Sequence, residues 1–461
     1  MTGVPGIHIH DPFTLIAKNR ATFFARTHAR ARADRRAAAF PFLHPMSRHT
    51  WVRTCAFLWG AVVFMPVGLN YAGAVYLIIA MLAGGPLPER LDRLRTHPLR
   101  WPIAAFLLWT LAVLAFGPRY PGTPVELGHG LRIATTMVLP ILLSDEEAAW
   151  GLRGFFAGAL LALTVMLLTC AFGLPDLPLW HNLTTMKGNK SINDALLFAL
   201  LGASAATWAL ALPRTTPKRL AWLAAAFAAT LGCAVIVTLA LPSRTSLIAL
   251  FVAVLGACVH QWRLRLRALA VSLCVVMIAA GGLISQAPSA QEKFKLGVQE
   301  IEAAQAGAVS EGSWVVRFYM YRETSRMMIE RPWAGWGVGS WTSEWHRRAP
   351  SLLHDYNMPH NDFLWMGSQT GVPGLLALAL VFATGLGMAW RRADLAGRLA
   401  FVAMLVLLVA TSVNSANRDA AIGLSLPWIV FLYLRRAHGA SPALAGDRPA
   451  GDLDFAARRR F

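Results

Sequence analysis

His360 is the first candidate for a chemically active residue in this sequence. It lies in the run PHND, where a long polar segment gives way to an apolar one. Pro359 and the helix-starting residue types Asn361 and Asp362 predict that a helix begins directly after it. The dipole at that helix N-terminus, together with nearby arginines, favours a neutral imidazole, which can act as a general base. The alternative is an interfacial histidine that only caps the helix.

Four cations are candidates for binding an anionic substrate near this base. Arg244 stands in the turn PSRTS, and Arg317 lies at the edge of the apolar stripe of a predicted helix. The planar guanidinium of arginine suits phosphate capture, whereas interfacial anchoring or snorkelling is the alternative for both residues. Lys187 and Lys190, in MKGNKS, have the same two interpretations, although lysine at a membrane edge more often snorkels.

A metal site is the other chemistry to test against these residues. His354, Asp355, His360 and Asp362 lie together in HDYNMPHND. Their spacing matches no zinc signature, and a helix start explains the residues that follow His360. No carboxylate pair for glycoside hydrolysis is evident. The sequence therefore predicts no metal and no cofactor, and a base with several cations suits transfer from a lipid-linked phosphate or pyrophosphate donor.

Long apolar runs supply the framework that positions these residues. Of the 461 residues, 56% are hydrophobic, and the runs recur from residue 54 to residue 434. They predict an all-α, polytopic membrane protein with about twelve transmembrane helices. The predicted spans are 54–68, 70–85, 101–117, 128–143, 152–172, 193–212, 219–241, 245–260, 267–285, 361–371 with 373–390, 398–413 and 420–434.

The charge distribution predicts the orientation of the chain. The net charge of +19 is concentrated in the N-terminal region and in alternate turns, such as 88–100 and 263–267. The positive-inside rule explains this pattern without a nucleic-acid partner and places both termini in the cytoplasm. The predicted organisation is a basic cytoplasmic tail (1–53), transmembrane helices 1–9 (54–285), an external helical segment (286–360), transmembrane helices 10–12 (361–434) and a cytoplasmic tail (435–461).

The external segment 286–360 is predicted to carry helices and function of its own. Two apolar stripes are expected, one through Phe294, Val298 and Ile301 and one through Trp314, Phe318, Tyr321 and Met328. Pro332 ends the second helix, and the glycines of GWGVGSW suit a turn with positive φ angles. The tryptophans of this region are predicted to form an interfacial belt, at positions 333, 336, 341 and 345.

The motifs in residues 313–378 resemble a known family. An arginine-led helix is followed by a Pro–x–x–Gly–x–Gly turn and by a Pro–His–Asn helix start that closes on Gly–x–x–Gly–Leu. This combination resembles the shared core of the O-antigen ligase and O-antigen polymerase superfamily, and the ligase most closely. The span pattern and the SR turn at 243–244 extend the resemblance over most of the chain.

The resemblance implies a fold similar to that of other metal-independent, polyprenol-dependent membrane glycosyltransferases. It also implies transfer of O-antigen polysaccharide from undecaprenyl pyrophosphate to a sugar hydroxyl of lipid A–core. The site would lie on the periplasmic side of the bacterial inner membrane. By motif, His360 would be the general base, and Arg244 and Arg317 would bind the donor pyrophosphate.

Four other residues lie outside the family motifs or have no role assigned by them, and they are further candidates for the site. Lys187 and Lys190 would also contact the donor, and Asn361 would support His360. Asp419, in the polar turn NSANRD (414–419), would orient His360 or an arginine.

Three rival functions share parts of this pattern. A polymerase would use a second lipid-linked glycan as acceptor, and a protein O-oligosaccharyltransferase would use Ser or Thr. The acceptor choice would lie in residues 286–357, which the motifs do not cover. A transporter or flippase usually carries ionisable groups at mid-membrane. Here the charged residues are expected at span ends, at Arg132, Arg153, Asp194 and Arg244.

Overall fold

The computed structural model describes residues 48–84, 86–186, 191–285 and 288–439, and these residues form 17 α-helices and no β-strand. In chain order the helices are α1 Arg48–Ala61, α2 Val67–Gly84, α3 Leu87–Thr96, α4 Arg100–Phe116, α5 Thr123–Leu142, α6 Asp145–Phe172, α7 His181–Thr185, α8 Ser191–Ala211, α9 Arg219–Val235, α10 Arg244–Trp262, α11 Leu266–Ser285, α12 Pro288–Gln305, α13 Ser313–Glu330, α14 Trp341–Arg348, α15 Asp362–Arg391, α16 Leu395–Val413 and α17 Ala420–Gly439. A π-helical turn, Ile236–Ala240, extends α9.

The all-α polytopic fold predicted from the sequence is confirmed, but the number of spans is revised. Every predicted span overlaps a helix, yet eight helices among the described residues are long and apolar enough to cross a membrane. The bent pair α3–α4 raises this number to nine at most. The other helices are short or polar: α1 has 14 residues, and α5 carries Glu126, His129 and Arg132. The predicted tails lie mainly outside the described residues, although α17 continues to Gly439.

Local sequence signals explain where several helices begin and end. Ser144 and Glu147 form a reciprocal capping box at the start of α6, and Gly173 ends that helix in the left-handed conformation. The side chain of Asp394 caps α16 through Gly397 N. These caps satisfy backbone groups that would otherwise lack partners at the membrane boundary.

Close helix contacts in the core depend on small residues. At Gly154 of α6 an added Cβ would lie 1.9 Å from the carbonyl oxygen of Phe57, and at Gly158 it would lie 2.3 Å from that of Ala61. The two glycines therefore let α1 approach the α6 backbone directly, as small residues spaced by four commonly do in membranes. At the centre of the bundle, α17 is 83% buried in its spanning window.

The two ends of the bundle are different in character. The loop face is the end at which α10 and α15 begin and to which the polar segment, residues 286–360, is attached. The basic face is the opposite end, where both helices finish. There the ring of His260 in α10 lies 5.1 Å from that of Trp390 in α15, and Arg263 Nη1 donates to Trp390 O at 2.8 Å.

The polar segment is helical, as predicted, and a glycine turn joins it to α15. Gly335, Gly337 and Gly339 all have positive φ, of 65°, 105° and 89°. A Cβ at Gly335 would lie 2.4 Å from the backbone of Gln369 in α15, so the turn needs a residue without a side chain there. The predicted break in the span after residue 371 is also present, because Gly371 has φ 74° and interrupts α15.

The predicted belt of tryptophans is wrong for two of its four members. Trp341 and Trp345 are buried and stack with ring centroids 5.3 Å apart. Their indole N–H groups donate to Thr324 Oγ1 at 2.9 Å and to Leu353 O at 2.8 Å. Hydrogen-bond partners inside the polar segment make burial favourable, so these rings form its core instead of a membrane-facing surface.

The predicted apolar stripe of α13 is displaced by about one position along the helix. The fully buried positions include Val316, Met320 and Met327, whereas Phe318 and Tyr321 are half-buried. In α12, Val298 is exposed, and Gly297 and Ala304 are buried among the side chains that the structure describes, which do not include Phe294. The half-buried edge of α13 therefore carries Arg317 and Tyr321 beside the start of α15.

Arg132 is not at a span end, contrary to the expectation. It lies in the middle of α5 and is only 5% exposed. Its guanidinium donates to the carbonyl oxygens of Asn417 and Arg418 and, at 3.2 Å, to the hydroxyl of Tyr71. The helix begins five residues before the predicted span, which moves this charge inward. Its protein partners give it a structural role in holding the 414–419 turn.

Candidate functional site

His360 has a strained backbone conformation immediately before α15. Its φ angle is 52°, and Asn361 is the N-cap, with Oδ1 accepting hydrogen bonds from Phe363 N at 2.9 Å and Leu364 N at 3.0 Å. A residue other than glycine in the left-handed region costs of order 1–3 kcal/mol and persists where its surroundings hold it. The helix starts where the sequence predicted, and Asn361 supplies the cap, so capping does not explain His360.

Burial and two neighbouring arginines keep the imidazole of His360 neutral. Burial is the largest cause, the charge of Arg317 comes next, and Arg418 acts in the same direction; the Asn414 side chain opposes them. Together they lower the pKa of His360 to about 4. The ring is therefore unprotonated at neutral pH and able to accept a proton. The sequence predicted a neutral ring from the helix dipole and arginines, whereas burial is the main cause.

The ring of His360 also has an unused polar atom. Its Nδ1 is buried and has no hydrogen-bond partner in the part of the chain that the structure describes. Leaving a buried polar atom unpaired costs about 1–3 kcal/mol. A bound hydroxyl or water would relieve this cost, so the atom marks a place for a ligand.

Arg317 lies near both Arg244 and His360, because its charge lowers the pKa of His360 and the charge of Arg244 lowers its own pKa. Arg244 begins α10 and is exposed, with Cζ 5.7 Å from the ring centre of Trp314. Arg317 Nη1 donates to Ser313 Oγ at 2.8 Å. Burial and the charge of Arg244 lower the pKa of Arg317. Within the described ranges, neither arginine forms an ion pair with a carboxylate, so their combined charge is available to an anion.

Tyr321 is a site residue that the functional assignment from sequence missed. It lies one helical turn after Arg317, and its hydroxyl donates to His360 O at 3.2 Å and to Ser412 O at 3.4 Å. It therefore ties α13 to the start of α15 and the end of α16. Burial raises the pKa of Tyr321, while Arg317 and the Asn361 side chain act in the opposite direction. The sequence could have indicated this role, because a residue four positions after Arg317 lies on the same face of the helix.

A set of buried polar contacts holds the 414–419 turn in place next to the site. Arg418 pairs with Glu126 at 3.1 Å, and Glu126 also contacts His129 Nδ1 at 3.0 Å. Asp362 is fully buried, and its Oδ2 accepts from Asn417 N at 2.8 Å. These contacts hold the 414–419 turn against α5 and α15. They join residues far apart in sequence, which is why spacing gave no sign of Glu126 or Arg418.

Asp419 has a different contact from the expected one. Its Oδ1 accepts hydrogen bonds from Ala421 N at 2.8 Å and Ile422 N at 2.9 Å, which makes it a cap of α17. Among the described residues it forms no ion pair with an arginine and no hydrogen bond with His360. Lys187 and Lys190, the two lysine candidates for donor binding, lie outside the described residues.

The residues considered for a metal site are not brought together. His354 Nε2 contacts Ala349 O at 3.1 Å, and Asp355 is exposed, while Asp362 is buried beneath the site. No group of three His, Cys, Asp or Glu side chains with a metal-binding arrangement occurs in the described part of the chain. What the structure does bring together is a neutral imidazole, two unpaired arginines and a tyrosine.

The comparison with protein families agrees with this arrangement. The family described as O-antigen ligase matches residues 226–379. The matched region contains Arg244, Arg317, Tyr321 and His360, and it confirms the resemblance seen in the motifs. Among curated proteins, none matches the chain significantly. Residues 226–379 are thus similar to the O-antigen ligase family, which supports a function of the ligase or polymerase type, and eight apolar helices among the described residues indicate a multi-pass membrane protein.

Proposed function

We propose that this protein, whose residues 226–379 match the O-antigen ligase family, transfers polysaccharide from undecaprenyl pyrophosphate to a sugar hydroxyl of lipid A–core. The reaction inverts the anomeric carbon and needs no metal ion. It takes place at the loop face, which is the periplasmic side of the bacterial inner membrane. Both termini then lie in the cytoplasm, because the basic face obeys the positive-inside rule.

One observation carries the proposal: a base kept neutral stands beside two arginines without carboxylate partners. Burial and the charge of Arg317 lower the pKa of His360 to about 4. The charge of Arg244 in turn lowers the pKa of Arg317. Positive charge stabilises a pyrophosphate as it leaves, and a base removes the proton of a hydroxyl acceptor. The same cluster supplies both.

The proposed step is a single displacement. The His360 imidazole takes the proton of the acceptor hydroxyl as that oxygen attacks the anomeric carbon of the donor sugar. A new carbon–oxygen bond forms, and the bond from the anomeric carbon to the pyrophosphate oxygen breaks. The electron pair leaves with undecaprenyl pyrophosphate, whose negative charge Arg244 and Arg317 stabilise.

The other residues of the site position this chemistry. Asn361 fixes the start of α15, and Tyr321 holds the His360 carbonyl, so the ring keeps its orientation. A positioned base contributes about 10²–10⁴-fold in rate, and fixed charges add a few kcal/mol. Lys187 and Lys190 are proposed as secondary donor contacts, which can be tested by replacing each with Gln.

The test is transfer by purified protein with undecaprenyl-pyrophosphate-linked glycan, lipid A–core and a chelator. His360→Ala is expected to lower the initial rate by at least about 10²-fold, since it removes the base. His181→Ala is the matched control, because that ring is 56% exposed and pairs with Asp176. Near-normal transfer by His360→Ala would refute the base assignment, and a strict need for Mg²⁺ or Mn²⁺ would refute the metal-free mechanism.

The same assay separates the rival acceptors. A ladder on lipid A–core identifies a ligase, whereas longer glycan on the lipid carrier identifies a polymerase. Glycan on Ser or Thr of an added protein identifies an O-oligosaccharyltransferase. Movement of the lipid-linked glycan across a vesicle membrane without any transfer would identify a transporter.

A further inference from the structure

A large apolar cavity lies among α8, α9, α10 and α11, and its lining runs from Leu247, one turn after Arg244, to Gln261 near the end of α10. Its volume is about 1280 Å³, above the range of about 300–1,000 Å³ usual for small-molecule pockets. Its walls are hydrophobic, with Leu210, Phe227, Val254, Val271 and Val275 among the lining residues. Phe227 is 68% exposed and Val275 is 59% exposed, so the protein leaves these walls open to the lipid phase. Acyl chains are the natural filling for such walls.

The end of this cavity at the basic face is strongly cationic. Arg214, Arg219 and Arg265 all line it, one before α9, one at its start and one just before α11. None of the three forms an ion pair with a carboxylate in the ranges that the structure describes. This lack of counter-charge contrasts with Arg392, which pairs with Asp394 at the same face.

Three buried polar atoms at the same end also lack partners. They are Nε of Arg219, Oε1 of Gln261 and Nε1 of Trp262, and no hydrogen bond to any of them occurs among the described residues. Arg265 lies over the ring of Trp262, with Cζ 6.0 Å from its centre. An arginine that merely snorkels turns its guanidinium fully into water. Here two donors, Arg219 Nε and Trp262 Nε1, are buried at the mouth of an apolar cavity, which costs free energy unless a ligand accepts their hydrogen bonds.

From this juxtaposition we infer that the cavity binds an anionic glycerophospholipid of the leaflet at the basic face. Its phosphate contacts Arg214, Arg219 and Arg265, and its acyl chains lie along Phe227 and Val275. Basic pockets between transmembrane helices on the cytoplasmic side bind anionic headgroups in this way. A net negative lipid is favoured over a zwitterionic one because three cations without counter-charge face the headgroup.

The cationic end of the cavity is separated from the donor site by distance, although Leu247 and Ile248 line its other end. Along α10, Gln261 is 17 residues after Arg244, which is about 25 Å at 1.5 Å per residue. A pyrophosphate bound by Arg244 therefore cannot be the anion at the basic end. A polyprenyl tail that entered the cavity from the loop face would leave the three arginines unpaired, so it does not explain them.

The experiment is native mass spectrometry of the full chain released from nanodiscs that contain phosphatidylglycerol and phosphatidylcholine in equal amounts. One phosphatidylglycerol per chain is expected to remain bound, and the mass identifies the headgroup. The variant Arg214→Gln/Arg219→Gln/Arg265→Gln should retain at least about tenfold less, since it loses three charge-assisted contacts. The control Arg95→Gln/Arg100→Gln/Arg267→Gln removes the same charge from exposed arginines of the basic face that do not line the cavity, and should retain the lipid.

A second variant tests the cavity itself without changing charge. Val275→Trp places an indole in the space of the acyl chains and should also lower phosphatidylglycerol retention. Equal retention by the wild type and the Arg214/Arg219/Arg265 variant would overturn the inference, as would preferential retention of phosphatidylcholine or displacement by undecaprenyl phosphate. His360→Ala should bind the lipid normally, so failure of this site and failure of the proposed transfer are distinguished.

Discussion

Arginines at the two ends of the bundle are held in opposite ways. On the basic face, Arg90 is only 2% exposed, and its two terminal nitrogens bind both carboxylate oxygens of Glu147 at 2.8 and 2.9 Å. On the loop face, Arg244 and Arg317 lie near each other with no carboxylate partner among the described residues. Removing one partner of a buried ion pair destabilises the fold, whereas two unpaired cations side by side repel and are stabilised by an anion from outside. We propose that this difference separates structural arginines from ligand-binding ones.

The cavity arginines sharpen this comparison. They lie on the basic face but resemble the loop-face pair, because Arg214, Arg219 and Arg265 also lack carboxylate partners in the described ranges. Their position in the sequence, in basic turns, is the same as that of Arg90. We therefore propose that pairing in three dimensions, and not position in the sequence, distinguishes the cations that bind a ligand.

The largest expected effect comes from removing the unpaired cations of the loop face. Arg244→Gln/Arg317→Gln should lower the transfer rate by at least about 10²–10³-fold, because the charge that stabilises the leaving pyrophosphate is lost. The measurement is the initial rate of glycan transfer per folded protein. Arg326→Gln is the control, since that arginine is 57% exposed on α13 and already pairs with Glu323. Transfer that persists at the wild-type rate would contradict the comparison.

A structural arginine should show the reverse behaviour. Arg90→Met leaves the buried carboxylate of Glu147 without a counter-charge and should destabilise the protein by about 3–5 kcal/mol. Thermal unfolding in detergent measures this effect, while the transfer rate per folded molecule should stay close to that of the wild type. Arg90→Met/Glu147→Gln removes the orphaned charge and keeps a capping-box residue, so it should recover part of the stability. If the double variant were less stable than Arg90→Met, the buried-charge explanation would fail.

The smallest effect is a shift in pH dependence. His360 has a pKa lowered to about 4, so the base stays neutral as pH falls through 6.5, and the acid limb of the transfer rate should lie near pH 4. The charge of Arg317 is one cause of this shift, and its loss raises the pKa of His360. The residual activity of Arg317→Gln should therefore decline at a higher pH than that of the wild type. Profiles of kcat/KM against pH measure the acid limb of the wild type and that of Arg317→Gln. A wild-type acid limb at pH 6.5 would contradict the conclusion that burial lowers the pKa of His360.

Much of the fold followed from the sequence because its signals are local. Apolar runs predicted the helices, and the Pro–His–Asn run predicted the start of α15. The glycines at 335, 337 and 339 were expected at positive φ and have it. Fewer helices among the described residues meet the length and hydropathy of a span than the twelve predicted, and α5, for example, carries the buried charges of Glu126 and Arg132.

The site was predicted in part. Arg244, Arg317 and His360 were named as candidates, and Arg317 lies near each of the other two. The contacts of Tyr321, Glu126 and Arg418 were missed, and Asp419 was given a different contact. Glu126 and Arg418 are separated by 292 residues, so no spacing rule connects them. The burial of Trp341 and Trp345 was also missed, since amphipathic rings suit either an interface or a core that supplies hydrogen-bond acceptors.

The sequence by itself determined the helical class, the membrane framework, the start of α15 and the types of side chain available for chemistry. These depend on hydropathy and backbone preference, which act over a few residues. Only the tertiary structure decided which arginines have a counter-charge and how deeply His360 is buried. Charge pairing and desolvation depend on which helices meet, and that is set by contacts between residues hundreds of positions apart.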